Sequence, residues 1–458
     1  MKLSVNKSLL KARSHARKGE TERARDLYKK ILCAYPNNKR AQIALADLNK
    51  PNRSADLNSS EEAINQLVTL YHQGQLETVV ERASQLTAHF PASIILWNLI
   101  GACNSELLKF EAAETAFHKA IELEPNSSDT QNNLGITLRQ QGKYKDAIRS
   151  FKKALSLKPD YAEAHFNLGL VFQDLNYFEE AITAFKLAIK YKSNYAEAYF
   201  NLGSTLHHHG KLNDAIEAHK KAILIQPAYA EAYNNMGASL NLQGELSNAI
   251  DAYVKAISIR PDFAEAYNNM GNTLTNQKKY EDAIATYNNA ISLMPEYAEA
   301  YSNMGNALSK QGKYHDAIAA CLKAISLKPD YAEAYNNMGV AFTGQGEHVR
   351  AINTFRDAIA LNADYAEAHN NMGLALLDQG ELKESILAFK TALSIKPTFL
   401  ETRCNLSHAF QRLQQFDDAI ACLKETLKTH PNFIEAHNNL GDILKEIGEL
   451  DEAVSCFK

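Results

Sequence analysis

From residue 60 onward the apolar and polar positions recur with a period of 34 residues and no insertion. The string Ala-Glu-Ala-Tyr-Asn-Asn-Met-Gly at 230–237 returns at 264–271 and 332–339, with near copies at 298–305 and 366–373. Position 1 of each unit then falls at residues 60, 94, 128, 162, 196, 230, 264, 298, 332, 366, 400 and 434. Position 8 is Gly in ten of these units, including Gly101, Gly135, Gly203, Gly237, Gly271 and Gly441, with Leu67 and Ser407 as exceptions. Positions 20 and 27 are mostly Ala (Ala113 and Ala120, Ala147 and Ala154). Position 11 is Leu or Phe (Leu138, Phe172, Leu240, Phe342, Phe410), and position 24 is Phe or Tyr (Phe151, Phe185, Tyr253, Tyr287, Phe389). Small residues facing large ones at helical spacing predict two antiparallel helices, A and B, packed closely in every unit.

The punctuation between the apolar positions fits that reading. Gly near position 15 (Gly142, Gly210, Gly244, Gly312, Gly346, Gly380, Gly448) supplies a left-handed residue for the turn between the helices, and Lys278 and Gln414 stand there at some strain. Position 32 is usually Pro, as at Pro125, Pro159, Pro227 and Pro431, and it closes helix B because it cannot extend the i to i−4 ladder. Asp or Asn follows, with Glu three residues later: Asp160 and Glu163, Asn194 and Glu197, Asp262 and Glu265, Asp330 and Glu333, Asp364 and Glu367. That spacing predicts a capping box at the start of the next helix A, and it accounts for the Glu at position 2 better than an acidic stripe does.

Residues 5–38 form a weaker copy in which Gly19, Ala24, Tyr28, Ile31 and Pro36 keep the spacing of positions 15, 20, 24, 27 and 32, and a helix follows at about 39–49. The phase breaks at residues 49–59, rich in helix-breaking and capping types. The expected organisation is therefore divergent helices over 1–48, a linker at 49–59 and twelve in-phase repeats over 60–458. The last repeat stops at Lys458, position 25. A single repeat fixes its backbone at roughly 1–2 kcal/mol per residue while burying one face, so stacking must supply the stability. The unfinished last helix points to a fragment of a longer protein, and its apolar face could support self-association.

Aromatic-x2-Leu-Gly-x2-aliphatic, then Ala-x3-Phe, Ala and Pro, resembles the tetratricopeptide signature over residues 60–458. The resemblance implies an all-α, right-handed superhelical solenoid whose helix A lines a concave groove through positions 2, 5, 6, 9, 12 and 13. Position 6 is Asn in eleven of twelve units: Asn65, Asn133, Asn167, Asn201, Asn235, Asn269, Asn303, Asn337, Asn371, Asn405 and Asn439, with Leu99 the exception. A side-chain amide carries donors and an acceptor and can bond a peptide unit without reading its side chain. The row resembles the asparagine ladder of the O-GlcNAc transferase superhelix, which implies a peptide-binding role for these residues. The alternative is that each Asn bonds only a neighbouring helix or water. Tyr at position 4 (Tyr199, Tyr233, Tyr267, Tyr301, Tyr335) and Tyr or Phe at position 34 (Tyr161, Tyr195, Tyr229, Phe263, Tyr297) read as core. The carboxylate clamp of tetratricopeptide chaperone adaptors needs Lys at position 5, where this chain has Phe166, Phe200, Asn234, Asn268, Ser302, Asn336 or Cys404.

Composition narrows the function classes. A net charge of −4 disfavours nucleic acid, including RNA-binding repeats of similar length. No stretch approaches the ~20 apolar residues of a membrane span, and no signal-peptide core is present, so a cytoplasmic location is expected. The six cysteines form no C-x-x-C pair and fit reduced thiols. His207, His208 and His209 lie about 100° apart on a helix and cannot converge on one metal ion. No phosphate-cradling loop, H-E-x-x-H or nucleophile elbow occurs, so neither catalytic residues nor a cofactor are expected. The expected function is a protein-interaction scaffold binding an extended polypeptide. The alternative is a substrate-recruiting arm of a larger transferase, since Leu70–Glu77 and Leu96–Gly101 resemble the arms of bacterial repeat-containing sulfotransferases and O-GlcNAc-transferase-like proteins.

Overall fold

The computed structural model describes residues 5–36, 38–48 and 53–457. Among the described residues every regular element is an α-helix, twenty-seven in all. Helices of 13 or 14 residues are marginal alone in water, so each must gain its stability from an apolar face. The hairpin unit is seen in Ala264–Asn276 followed by Tyr280–Leu293: helix A occupies positions 1–13 and helix B positions 17–30. The chain divides into two compact units, Met1–Val171 and Phe172–Lys458. Within each, helix A packs on its own helix B and helix B on the next helix A, a solenoid of stacked helical hairpins.

The seam inside each hairpin is the predicted close approach. A Cβ on Gly271 would lie 2.6 Å from the Tyr287 ring, one on Gly135 2.7 Å from Phe151, and one on Gly373 2.6 Å from Phe389. The aromatic at position 24 thus lies against bare backbone, and Phe151, Phe185, Phe355 and Phe389 are fully buried. Burial of each such side chain contributes about 1.5–3 kcal/mol. The two exceptions exchange partners: Leu67 at position 8 faces a unit whose position 24 is Ala83, and Ser407 one whose position 24 is Leu423, all four buried.

The turns carry the expected left-handed residue. Gly142, Gly244 and Gly346 have φ between 72° and 82°, and Lys278 (63°) and Gln414 (59°) adopt the same conformation with a side chain attached. Leu108 (59°) and Asn176 (58°) do so as well.

Two expectations are corrected. The capping box does not form: the N-cap residues are the position-34 aromatics Tyr195, Tyr229, Phe263, Tyr297, Tyr331 and Tyr365, none with a side-chain cap bond. The Asp or Asn stands one residue outside the cap and the Glu one position too early to reach back. Ser127 and Asn38 do cap with their side chains, accepting from the Thr130 and Ala41 amides. The second correction concerns residues 49–59: a helix spans Arg53–His72, so 53–59 are helical, while 49–52 lie outside the described residues. Pro51 precedes that helix, and no residue from Arg53 to Ser60 lacks a backbone donor, so the capping-type composition does not stop it. Leu9, Ala12, Ala24, Tyr28, Ile31 and Ala41 form a separate core in the N-terminal helices.

Candidate functional site

Positions 2 and 6 of helix A are one turn apart and share a face, with position 5 beside them. The structure gives the position-6 amides a definite internal partner. In the unit Phe172–Lys458, Asn269 Nδ2 donates to Asn234 Oδ1 (3.1 Å), Asn303 to Asn268 (3.0 Å), Asn371 to Asn336 (3.0 Å) and Asn405 to Asn370 (3.0 Å). Asn337 donates to Ser302 Oγ (3.0 Å), and Asn439 bonds the Cys404 thiol. In the unit Met1–Val171, Asn167 donates to Asn132 Oδ1 (3.0 Å). The rule is position 6 to position 5 of the preceding repeat, 35 residues away. It fails where position 5 carries no acceptor, and also at Asn133, whose predecessor Asn98 keeps a buried Oδ1 without a hydrogen-bond partner. Asn201, whose predecessor at that place is Phe166, turns its amide to its own Glu197 carbonyl (2.8 Å), and Asn235, following Phe200, goes to Ser204 Oγ (3.1 Å). Asn133 receives Thr137 Oγ1 on its carbonyl, and Asn65 is exposed.

Position 5 is the hub that sequence reasoning missed. Tyr297 and Tyr331 at position 34 bond Asn268 and Ser302 of their own repeats, so one residue ties the end of a repeat to the next helix A. The position-34 rings are buried or half-buried, and burial pushes the Tyr229, Tyr297 and Tyr365 hydroxyls up to about 12. A cation from position 31 covers several of them: Arg260 lies 3.5 Å from the Phe263 ring centre, Lys396 4.7 Å from Phe399 and Lys328 4.9 Å from Tyr331. The same cations reach the position-2 carboxylates, Arg260 to Glu231 at 2.6 Å and Lys396 to Glu367 at 2.8 Å, and Lys396 holds the Glu367 carboxyl below its ordinary range.

The three consecutive histidines diverge. His207 meets Ser239 Oγ at 2.9 Å, His209 meets Glu179 at 2.8 Å, and His208 is exposed. A cavity of about 300 Å³ opens beside His207 and His208, lined also by Ser204, Asn234, Asn235, Glu265 and Asn269. His219, at position 24 of the same repeat, occupies the place of the buried aromatic; it is 0% exposed, and neither ring nitrogen has a hydrogen-bond partner.

The TPR repeat family profile matches seven successive segments, from 137–176 to 342–380, together the unbroken stretch 137–380 and more than half of the chain. Tetratricopeptide repeat profiles also match 116–149, 366–399 and 404–457. This chain belongs to the tetratricopeptide repeat family. None of the curated protein sequences matches it. Among solved structures, the repeats are similar to MamA (31% identity, TM-score 0.35, 36% of this chain and 97% of that one). They are also similar to yeast Tom70 (14%, TM-score 0.46, 87% and 94%) and to YrrB, a TPR protein with an unusual peptide-binding site (22%, TM-score 0.33, 41% and 96%). No helix among the described residues is long and apolar enough to cross a membrane.

Proposed function

We propose that this tetratricopeptide protein is an interaction scaffold that holds an extended polypeptide segment along its position-6 asparagines, Asn269, Asn303, Asn337, Asn371 and Asn405 foremost. The observation that carries the reading is the clasp. One N–H of each amide is fixed on the preceding repeat, which orients the carboxamide; Asn269, Asn303 and Asn405 keep Oδ1 and a second N–H for a ligand, whereas Asn371 Oδ1 also accepts from Asn370 Nδ2 (3.4 Å) and Asn337 Nδ2 also donates to the Ser302 carbonyl (3.3 Å). An N–H and a C=O side by side complement the C=O and N–H that one residue of an extended chain presents on one edge. Preorientation also lowers the entropy lost on binding. A groove of this kind reads the main chain and tolerates many side chains. The alternative, a recruiting arm of a larger transferase, rests on the sequence resemblance alone.

The test is an array of 15-residue peptides of scrambled sequence, each also made with alternate backbone amides N-methylated. The full chain should bind many unmethylated peptides and few methylated ones, and the double variant Asn303→Ala/Asn337→Ala should bind at least about tenfold more weakly while keeping its helical circular dichroism. Equal binding by the variant, or indifference to N-methylation, overturns the reading.

A further inference from the structure

The cavity beside His207 has an unbalanced set of hydrogen-bonding groups. Asn234 Nδ2 gives its hydrogens to Asn235 Oδ1 and Glu265 Oε1 (both 3.2 Å), Asn235 Nδ2 donates to Ser204 Oγ, and Asn269 Nδ2 to Asn234 Oδ1. The Ser204 hydroxyl donates to the Phe200 carbonyl (3.1 Å) and the Ser239 hydroxyl to the Asn235 carbonyl (3.0 Å). The wall's polar hydrogens are thus largely directed at one another, with the second N–H of Asn235 and of Asn269 left over. What faces the cavity is an excess of acceptors, the Glu265 carboxylate with all but one of its lone-pair directions and the Asn269 oxygen. His207 adds no positive charge near neutrality, because burial, with His208 beside it, lowers its pKa.

Glu265 also differs from Glu231 and Glu367. Glu231 and Glu367 are neutralised within their own repeats by Arg260 and Lys396 at position 31. In the repeat 264–297 that position is the uncharged Met294; Gln226 and Asn362 stand there in the repeats of Glu197 and Glu333, but of these three carboxylates only Glu265 lines the cavity.

We propose that this cavity receives a cationic side chain, a lysine ammonium or an arginine guanidinium, from the segment lying along the asparagine row, so that the protein prefers partners with a basic residue at this one point. The proposal rests on the groove reading above and adds a side-chain preference to it. Two probes test it with the full chain. The first is a fluorescein-labelled 13-residue Gly/Ser/Thr peptide with one central Lys, set against the same peptide with norleucine. The Lys peptide should bind about tenfold more tightly, the effect of one hydrogen-bonded charge. Glu265→Gln, which keeps an acceptor for Asn234, should remove that preference, and Glu231→Gln should leave it intact. The second probe is n-propylguanidinium followed by saturation-transfer NMR, whose signal should fall in Glu265→Gln. If both peptides bind wild type equally, the cavity proposal is overturned and the groove reading stands. If propylguanidinium binds through Glu265 but neither peptide binds, the cavity stands and the groove reading falls; if no probe binds, both fall.

Discussion

His219→Phe should stabilise the repeat 196–229 and abolish its sensitivity to mild acid. The imidazole is fully enclosed against Gly203 and 5.8 Å from the Phe200 ring centre, with His207 the titratable group acting on it. Burial, then the His207 charge, pushes its pKa down to about 3 from 6.5. A base held neutral in the fold contributes stability that is complete above the unfolded pKa and is lost as pH falls from about 6.5 toward 3. At pH 5 the loss depends only on the unfolded value, provided the folded one lies below 5, and amounts to about 2 kcal/mol. Phe should fit, because Phe355 and Phe389 lie against Gly339 and Gly373 at the 2.5–2.6 Å that His219 keeps from a Cβ on Gly203. It also removes two unbonded buried nitrogens, each worth about 1–3 kcal/mol if left wholly unsatisfied. The assay is hydrogen exchange of peptides from 196–229 at pH 7 and pH 5, corrected for intrinsic rates, since a solenoid opens locally and one global melting temperature would blur the effect. Wild type should lose protection about thirtyfold between the two pH values and the variant little. Equal losses, or a less protected variant at pH 7, would refute the reasoning.

Two further outcomes follow from the backbone and the seam. Lys278→Gly should raise stability by about 0.5–1 kcal/mol, the relief of a left-handed residue less the added freedom of glycine in the unfolded chain, read as the urea midpoint of the full chain. Leu67→Gly and Ala83→Phe should each destabilise the repeat 60–93, by a cavity of about 3 kcal/mol and by overpacking of 1–3 kcal/mol, while the double variant regains most of the loss; additive losses would show that the two positions do not share one space.

The hairpin was legible because its contacts lie inside one period. Gly271 and Tyr287 are 16 residues apart on two adjacent helices, and a 34-residue repeat that pairs a missing side chain with a ring in most units leaves little else for them to do. The strain at Lys278 and Gln414 was readable for the same reason, since a turn occupied by glycine in the other repeats exposes its substitutes. Leu108 and Asn176 occupy that turn too and were readable by the same comparison. The misread features lie where one repeat meets the next. The distance from Asp262 to Glu265 satisfies the capping-box spacing, but the stacking of repeats places Phe263 at the N-cap and moves both side chains out of register. The asparagine clasp joins residues 35 apart, one more than the period, so a position-by-position alignment separates the partners into different columns. The signal was available in the substitutions: where position 5 is Phe200 and not Asn, Ser or Cys, the following Asn235 loses its usual acceptor.

That clasp changes what an asparagine row can do. Were the amides free, each would offer a ligand two donors and one acceptor and would need to be ordered on binding. Held by position 5, each is already ordered, and its balance shifts toward acceptance, because one donor is taken and, except at Asn371, the carbonyl is not. Repetition multiplies the shift along Asn269, Asn303, Asn337 and Asn405. A ligand that matches such a surface must bring N–H groups, which every peptide bond except that before proline supplies and which basic side chains supply in excess. Proline should therefore be the one residue the row rejects through the main chain, whatever its neighbours.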